Sequence, residues 1–322
     1  PILRFDAAMT LTRHHFHRLW FPASHAAGAI PSRAEHGLSE EAFAERMPQE
    51  FWREVVDRVA AEAPDTLLLA EAFWLMESYF VRRLGLHRVY NSAFMHMLRD
   101  GDTVGLRRLL QEALQIDPEL LGRFANYLST PDEETAIAQF GREARYFGAC
   151  RVLVTLPGLP LFTHGQWDGL EERYGMEFRR PQRDEVPDEW VVDRHQREVA
   201  PLLERRRRFS GVATFRLLEL ADADGVPVDV VLAYANNTGA DTVVVAFNTS
   251  DASVAGRLKP VAPFAGAGAG WERAWPGLSD LGAEVLRDMT GERRVAITAE
   301  DHEAGGPRLE LAPFECAVLA VP

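Results

Sequence analysis

The chain has 322 residues, of which 47% are apolar and 26% charged, a composition and length typical of a folded protein with room for two domains. Its formal net charge of -13 argues against nucleic acid or an anionic membrane as partner, because both require a basic surface. The two cysteines, Cys150 and Cys316, predict neither a disulfide framework nor a zinc site, and no segment approaches the roughly 20 apolar residues of a membrane span.

Short apolar runs alternate with helical patterns over the first 208 residues, which predicts βα units around a parallel sheet. The apolar runs end at Asp6 and within residues 67–72, 89–92, 126–132 and 159–165. The helical patterns include residues 50–60, 105–114 and 194–203. Several runs end on an acidic or polar side chain, at the sheet edge where barrel and open α/β enzymes carry their chemistry.

The hydrophobic period changes to two after residue 209. Short alternating segments such as V-D-V-V-L-A-Y-A and T-V-V-V-A-F-N are separated by turn signals such as D-A-D-G. This pattern predicts an antiparallel β-sandwich. The sequence therefore predicts two domains, residues 1–208 and residues 209–322.

Three carboxylates stand at the ends of predicted strands: Asp6, Glu71 and Asp132. In a parallel barrel such ends converge on one mouth, and retaining glycoside cleavage needs two carboxyl groups about 5 to 5.5 Å apart. Arg4 and Asp6 share one strand face, since side chains alternate along a strand. Taken singly, each acid is better explained as a surface or capping residue, and Asp132 is placed to cap a following helix. Only the set points to catalysis.

The segments around these acids resemble the α-amylase family, glycoside hydrolase family 13. R4-F-D-A-A, L69-A-E-A-F and T130-P-D-E are similar to its second, third and fourth signature segments, in the same order. The segment T155-L-P-G-L-P-L-F-T-H-G-Q is similar to its eighth-strand segment. The resemblance implies an α/β fold with strands 4 to 8 of a (β/α)8 TIM barrel, followed by an all-β antiparallel sandwich.

The resemblance also implies a role for each acid. Asp6 would be the nucleophile, Glu71 the general acid/base and Asp132 the transition-state stabiliser, with Arg4 held against Asp6. A guanidinium beside Asp6 is expected to lower the pKa of that carboxyl, whereas apolar neighbours are expected to raise the pKa of Glu71. The predicted activity is cleavage of α-1,4-glucosidic bonds in an α-glucan or maltooligosaccharide, through a covalent glycosyl-enzyme.

Three further side chains are candidates for substrate binding. Trp74 and Tyr90 follow strand ends and would either stack on sugar rings or belong to the core. His164, beside Gln166, would be either a sugar ligand or a structural histidine. No cofactor and no metal ligand are predicted, and calcium is not readable, because the residues that bind it in amylases belong partly to segments this chain lacks. Few cysteines favour a cytoplasmic location.

In the family that the chain resembles, three βα units precede the strand that carries Arg4 and Asp6. Their absence predicts that the chain is a piece of a longer protein, and its oligomeric state is not readable.

Two alternatives stay open for the function. Met9, Thr10, Thr130 and Pro131 depart from the usual amylase residues. The combination of A70-E-A-F and T130-P-D resembles the maltosyltransferases that make α-glucan from maltose 1-phosphate, and another glucanotransferase is also compatible. In a different class, the chain would be a non-catalytic interaction module, which the intact acids disfavour.

Overall fold

The computed structural model describes residues 1–23, 31–73, 76–173, 179–236, 241–261, 285–298, 300–301 and 306–322. The chain divides into two compact units. The first contains residues 1–91 and 123–125, and the second contains residues 92–122 and 126–322. The predicted boundary at residue 208 does not coincide with this division and stays a prediction. Among the described residues no helix has both the length and the apolar character needed to cross a membrane.

The parallel strands follow one another in sequence order, β1-β2-β3-β4-β5. Their bounds are Ile2–Phe5, Leu67–Ala70, Arg88–Tyr90, Phe124–Tyr127 and Leu159–Leu161. Strands β1 to β4 pair in parallel within the first unit, and β4 continues into the second unit, which also holds β5. Consecutive parallel strands with helical crossovers are the arrangement of a (β/α)8 barrel, so the predicted partial barrel is confirmed.

Helices connect these strands in the segments where apolar residues recur about every 3.6 positions. Helices α1 to α3 follow β1, α4 follows β2, α5 to α7 follow β3, and α8 and α9 follow β4; α10 and α11 follow β5. Their bounds are Arg13–Trp20, Glu40–Arg46, Phe51–Glu62, Glu77–Tyr79, Ser92–Asp100, Thr103–Ile116, Glu119–Arg123, Ala136–Phe140, Ala144–Thr155, Glu189–Arg194 and Ala200–Glu204. Single π-helical segments, Phe80–Leu84 and His195–Val199, extend α4 and join α10 to α11. The three predicted helical segments are confirmed as α3, α6 and α10–α11.

Helix α3 supports the segment that follows β1. Its residue Trp52 is 3% exposed, and the indole Nε1 donates a hydrogen bond to the carbonyl of Ala8 at 2.7 Å. The same indole packs against Phe5, with ring centroids 4.8 Å apart. A buried indole needs a partner for its N–H, so this contact fixes the chain just after Asp6.

The antiparallel strands form one eight-stranded sheet within the second unit, ordered β11-β10-β13-β8-β7-β6-β9-β12. Strands β6 to β13 span Arg216–Ala221, Val231–Asn236, Val243–Asn248, Val254–Pro260, Val285–Asp288, Arg294–Ala296, Arg308–Leu311 and Cys316–Ala320. All eight strands contribute to one apolar cluster, so the sheet encloses its own core. The predicted sandwich is confirmed, although β9 and β10 were not predicted. In β9, Gly256 and two cations interrupt the apolar alternation.

The central strands β7, β8 and β13 are buried on both faces, and α9 packs against β8 and β13. Gly148 of α9 permits this contact. A Cβ at that position would lie 2.3 Å from the Phe247 ring and 2.8 Å from the carbonyl oxygen of Phe314. Any larger residue would push the helix away from the sheet.

The two cysteines belong to this helix and sheet. Cys150 lies in α9 and Cys316 begins β13, and both thiols are free and buried. Burial raises the pKa of each thiol to about 12. Both sulfurs therefore stay protonated near neutral pH.

Candidate active site

The site begins with two charged side chains from β1. Arg4 lies in the strand, and Asp6 follows its last residue on the same face. Arg4 Nη1 lies 2.8 Å from Asp6 Oδ1, and the Asp6 side chain is 48% exposed. The first predicted contact of the site, Arg4 held against Asp6, is present.

Strand register brings Glu71 to the same place. Phe5 of β1 pairs with Ala70 of β2, and the Glu71 N–H donates a hydrogen bond to the carbonyl of Phe5 at 2.9 Å. The side chains that follow the two strands therefore lie next to each other. Carboxylate oxygens of Asp6 and Glu71 are within 4.8 Å of one another, although Glu71 is only 4% exposed.

One guanidinium contacts both acids. In addition to Asp6, Arg4 reaches Glu71, with Nη2 at 3.1 Å from Oε2. Its Nε donates a hydrogen bond to the hydroxyl of Tyr90, the last residue of β3, at 2.8 Å. All three guanidinium nitrogens of Arg4 thus have partners within the first unit.

The backbone after Asp6 has an unusual conformation. Ala7 adopts φ 41° and ψ 40°, in the left-handed region that residues other than glycine rarely enter. This turn directs the Ala7 N–H to Glu71 Oε2 at 2.9 Å, while the Ala8 N–H donates to the Glu71 carbonyl at 2.9 Å. Strain of this kind is retained where surrounding contacts determine the conformation, and here these hydrogen bonds determine it.

The two carboxyls differ in their affinity for a proton. Burial, and then the hydrogen bond with Asp6, raise the pKa of Glu71 to about 7, against the opposing effects of the Ala7 N–H and Arg4. The same hydrogen bond with Glu71, followed by Arg4, lowers the pKa of Asp6. Below about pH 7, and above the lowered pKa of Asp6, the pair therefore holds one proton, mostly on Glu71, beside an ionised Asp6. This is the arrangement that a general acid and a nucleophile require.

Carboxylate oxygens are also the ligands that hard cations such as Ca²⁺ and Mg²⁺ prefer. Arg4 already donates to both acids, and its single charge balances that of Asp6 when Glu71 holds its proton. The pair therefore lacks the surplus negative charge that favours a divalent ion.

The third predicted acid, Asp132, belongs to the second unit and is exposed. Its backbone N–H donates to Thr130 Oγ1 at 3.3 Å. The expectation that Asp132 caps a helix is wrong, because Thr135 is the N-cap of α8 and its hydroxyl accepts from the Ala138 N–H. Its proposed role beside Asp6 and Glu71 stays a prediction.

The remaining candidates have different outcomes. Tyr90 is 1% exposed, so the idea that its ring stacks on a sugar is wrong; its ring lies in the core and its hydroxyl bonds Arg4. His164 is exposed in the turn after β5, and its role as a sugar ligand stays a prediction. Trp74 lies outside the described residues.

No known protein-family model and no curated protein sequence matches the chain. Solved structures do. An α-amylase from Anoxybacillus matches with a TM-score of 0.59 and 17% identity, over 84% of this chain and 56% of that one. A debranching enzyme from Nostoc punctiforme matches with a TM-score of 0.60 and 17% identity, over 86% of this chain and 56% of that one. An α-amylase from Geobacillus thermoleovorans, complexed with acarbose, matches with a TM-score of 0.60 and 16% identity, over 84% of this chain and 56% of that one.

The chain therefore has the fold of part of an α-amylase-type enzyme. It spans a little over half the length of these solved proteins. At such low identity the similarity establishes the fold alone. Any activity has to be inferred from the residues of the site and their geometry.

Proposed function

We propose that this chain carries the catalytic carboxyls of a retaining glycoside hydrolase of the α-amylase type, which cleaves α-1,4-glucosidic bonds in α-glucans or maltooligosaccharides. One observation carries the proposal: two adjacent carboxyls, bridged by one arginine, with pKa values displaced in opposite directions. Retaining glycosidases need such a pair at short separation, one ionised and one protonated. The α-amylase and debranching-enzyme folds of the similar structures support the substrate class.

In the first step ionised Asp6 attacks the anomeric carbon, while protonated Glu71 donates its proton to the leaving glycosidic oxygen. The C–O bond to the leaving sugar breaks as the Asp6 ester forms. Because its pKa is about 7, Glu71 retains a proton for this step near neutral pH.

In the second step Glu71, now ionised, removes a proton from an incoming acceptor, which attacks the anomeric carbon and releases Asp6. Two inversions give net retention. With water as acceptor the reaction is hydrolysis, and with a sugar hydroxyl it is transfer. Asp132 is included in the proposal as the stabiliser of the oxocarbenium-like transition state, and no cofactor takes part.

A maltosyltransferase that uses maltose 1-phosphate is the second candidate, and the resemblance of A70-E-A-F and T130-P-D to such enzymes favours it. The two candidates share the same carboxyl chemistry and differ in the group that donates or accepts the glycosyl unit. A cytoplasmic location is also proposed, supported by the two free, buried cysteines.

The test is product analysis with maltohexaose, with and without orthophosphate. Shorter maltooligosaccharides in both conditions are expected. Asp6→Asn is expected to reduce the rate by about 10³-fold or more, and Glu71→Gln by about 10² to 10⁴-fold. Asp65→Asn, an exposed acid in the turn before β2, is the matched control and should keep the wild-type rate.

A mechanism-based fluoroglycosyl fluoride should label the Asp6 peptide, as detected by mass spectrometry. Undiminished turnover by Asp6→Asn would reject Asp6 as nucleophile. A phosphorylated disaccharide formed only with phosphate would support the transferase in place of the hydrolase.

A further inference from the structure

The Arg4 guanidinium also contacts Tyr90, a residue with no part in either step of the proposed reaction. Its guanidinium makes three separate bonds: Nη1 to Asp6, Nη2 to Glu71 and Nε to Tyr90. A planar guanidinium that serves three acceptors has one orientation only. The guanidinium also faces the Tyr90 ring, with its central carbon 5.4 Å from the ring centroid.

The two partners in this contact differ in their freedom. Arg4 lies on β1, the edge strand of the sheet, and its side chain is 32% exposed. Tyr90 is 1% exposed and ends β3, an inner strand paired with β2 and β4. A long exposed side chain loses rotamer freedom when it is held in place, so a rigid acceptor is needed to keep Arg4 in one orientation.

We propose that Tyr90 is a positioning residue whose hydroxyl holds the Arg4 guanidinium in the orientation that bridges Asp6 and Glu71. Tyr90 does not touch the reacting atoms and acts through Arg4. The inference rests on the proposed function for the roles of the two acids, although the contact itself can be tested without turnover.

The consequence concerns the proton on the pair. Arg4 lowers the pKa of both Asp6 and Glu71. If Arg4 turns away when the hydroxyl is removed, both carboxyls lose a favourable charge and both pKa values rise. A tyrosine with a packing role alone would change stability and leave these pKa values unchanged.

Tyr90→Phe is the variant of choice, because it keeps the ring and removes only the hydroxyl. The carboxyls are titrated by NMR with ¹³C-labelled Asp and Glu side chains, and Asp6→Asn and Glu71→Gln assign the two signals. In Tyr90→Phe the pKa of Glu71 should rise above about 7, by about half a unit or more, and that of Asp6 should rise as well. Unchanged titration of both groups would overturn the proposal.

Tyr234→Phe is the matched control. Tyr234 is also 1% exposed, and its hydroxyl bonds Thr155 Oγ1 at 2.6 Å in the second unit. This variant should lose a similar amount of stability without moving either signal. A shift of the same size in Tyr234→Phe would show a general effect of losing a buried hydroxyl and would also overturn the proposal.

An Arg4→Lys background keeps the proposal testable if Tyr90→Phe folds poorly. Lysine keeps the charge, but its ammonium is a single point and lacks the three separate, planar nitrogens with which Arg4 reaches Asp6, Glu71 and Tyr90. If Tyr90 acts through Arg4, adding Tyr90→Phe to Arg4→Lys should not change the pKa values of Asp6 and Glu71 further. Additive pKa shifts in the double variant would contradict the proposal.

The titration also separates the two proposals. If the pKa values of Asp6 and Glu71 shift in Tyr90→Phe but the wild-type protein cleaves no glucan, the positioning role of Tyr90 is supported and the glycosidase proposal is rejected. In an active preparation, both limbs of the pH–rate profile should move to higher pH in Tyr90→Phe.

Discussion

Glu71 and Asp301 are almost equally buried, at 4% and 5% exposure, yet their pKa values are displaced in opposite directions. Burial acts to raise both. At Asp301 it is outweighed by hydrogen bonds from the Thr298 N–H, the Thr298 hydroxyl and Arg257, at 2.8, 2.8 and 2.6 Å. At Glu71 it is reinforced by the hydrogen bond with Asp6.

The difference lies in what surrounds each carboxylate. Among the described residues Asp301 is surrounded by donors, and these lower its pKa and keep it ionised. Glu71 has donors on one oxygen and a competing acid nearby, so it keeps a proton and can give it up. At this similar solvent exposure, the donors around Asp301 and the competing acid beside Glu71 set the opposite directions of the two pKa shifts.

The largest expected effect comes from removing the arginine at each site. Arg257→Met leaves Asp301 buried without its cation, which should reduce the free energy of unfolding by about 3 to 5 kcal/mol. Arg4→Met should reduce it by about 1 kcal/mol or less, since Asp6 is half exposed and Glu71 can hold a proton. Urea unfolding of both variants checks this, and equal losses would contradict the comparison.

The next effect is a dependence of stability on pH. Glu71 has a higher pKa in the folded protein, about 7, than its ordinary value of 4.5. Its stabilising contribution is therefore complete below about pH 4.5 and is lost as the pH rises to about 7, an amount of about 1 to 3 kcal/mol. Unfolding at pH 5 and pH 8 should show this loss in the wild type. Glu71→Gln should lack it, and an identical pH dependence in the variant would reject Glu71 as its source.

The smallest effect concerns Thr298. Thr298→Val removes the hydroxyl that donates to Asp301 but keeps the backbone N–H and the side-chain shape. The pKa of Asp301 should rise towards its ordinary value, with a stability loss of about 1 kcal/mol. Carboxyl NMR titration and urea unfolding measure the two changes. A pKa that stays equally low would show that Arg257 and the Thr298 N–H keep Asp301 ionised without the hydroxyl.

Much of the fold could be predicted from the sequence, because all five parallel strands are apolar runs between helical patterns. The pairing of Arg4 with Asp6 follows from strand alternation, and the directions of both pKa shifts follow from neighbours in sequence. The main cause at Asp6 was different, since its bond with Glu71 has more effect than Arg4.

Other parts depend on contacts between distant residues. The bond from Arg4 to Tyr90 joins residues 86 positions apart, and that from Arg257 to Asp301 joins residues 44 positions apart. No local pattern marks such pairs. The left-handed Ala7 was equally unpredictable, because alanine carries no preference for that conformation. For Tyr90 the sequence left sugar stacking and a place in the core open, and its burial in the structure shows that the core alternative is correct.

The two buried cysteines have a practical consequence for following this site in solution. Because both thiols stay protonated and inaccessible, the folded chain should give no background reaction with maleimide reagents near neutral pH. A cysteine introduced at Leu3, which is 46% exposed and faces away from Arg4 and Asp6, would then be the single labelled position. A fluorophore attached there would report sugar binding beside the carboxyls from the opposite face of β1.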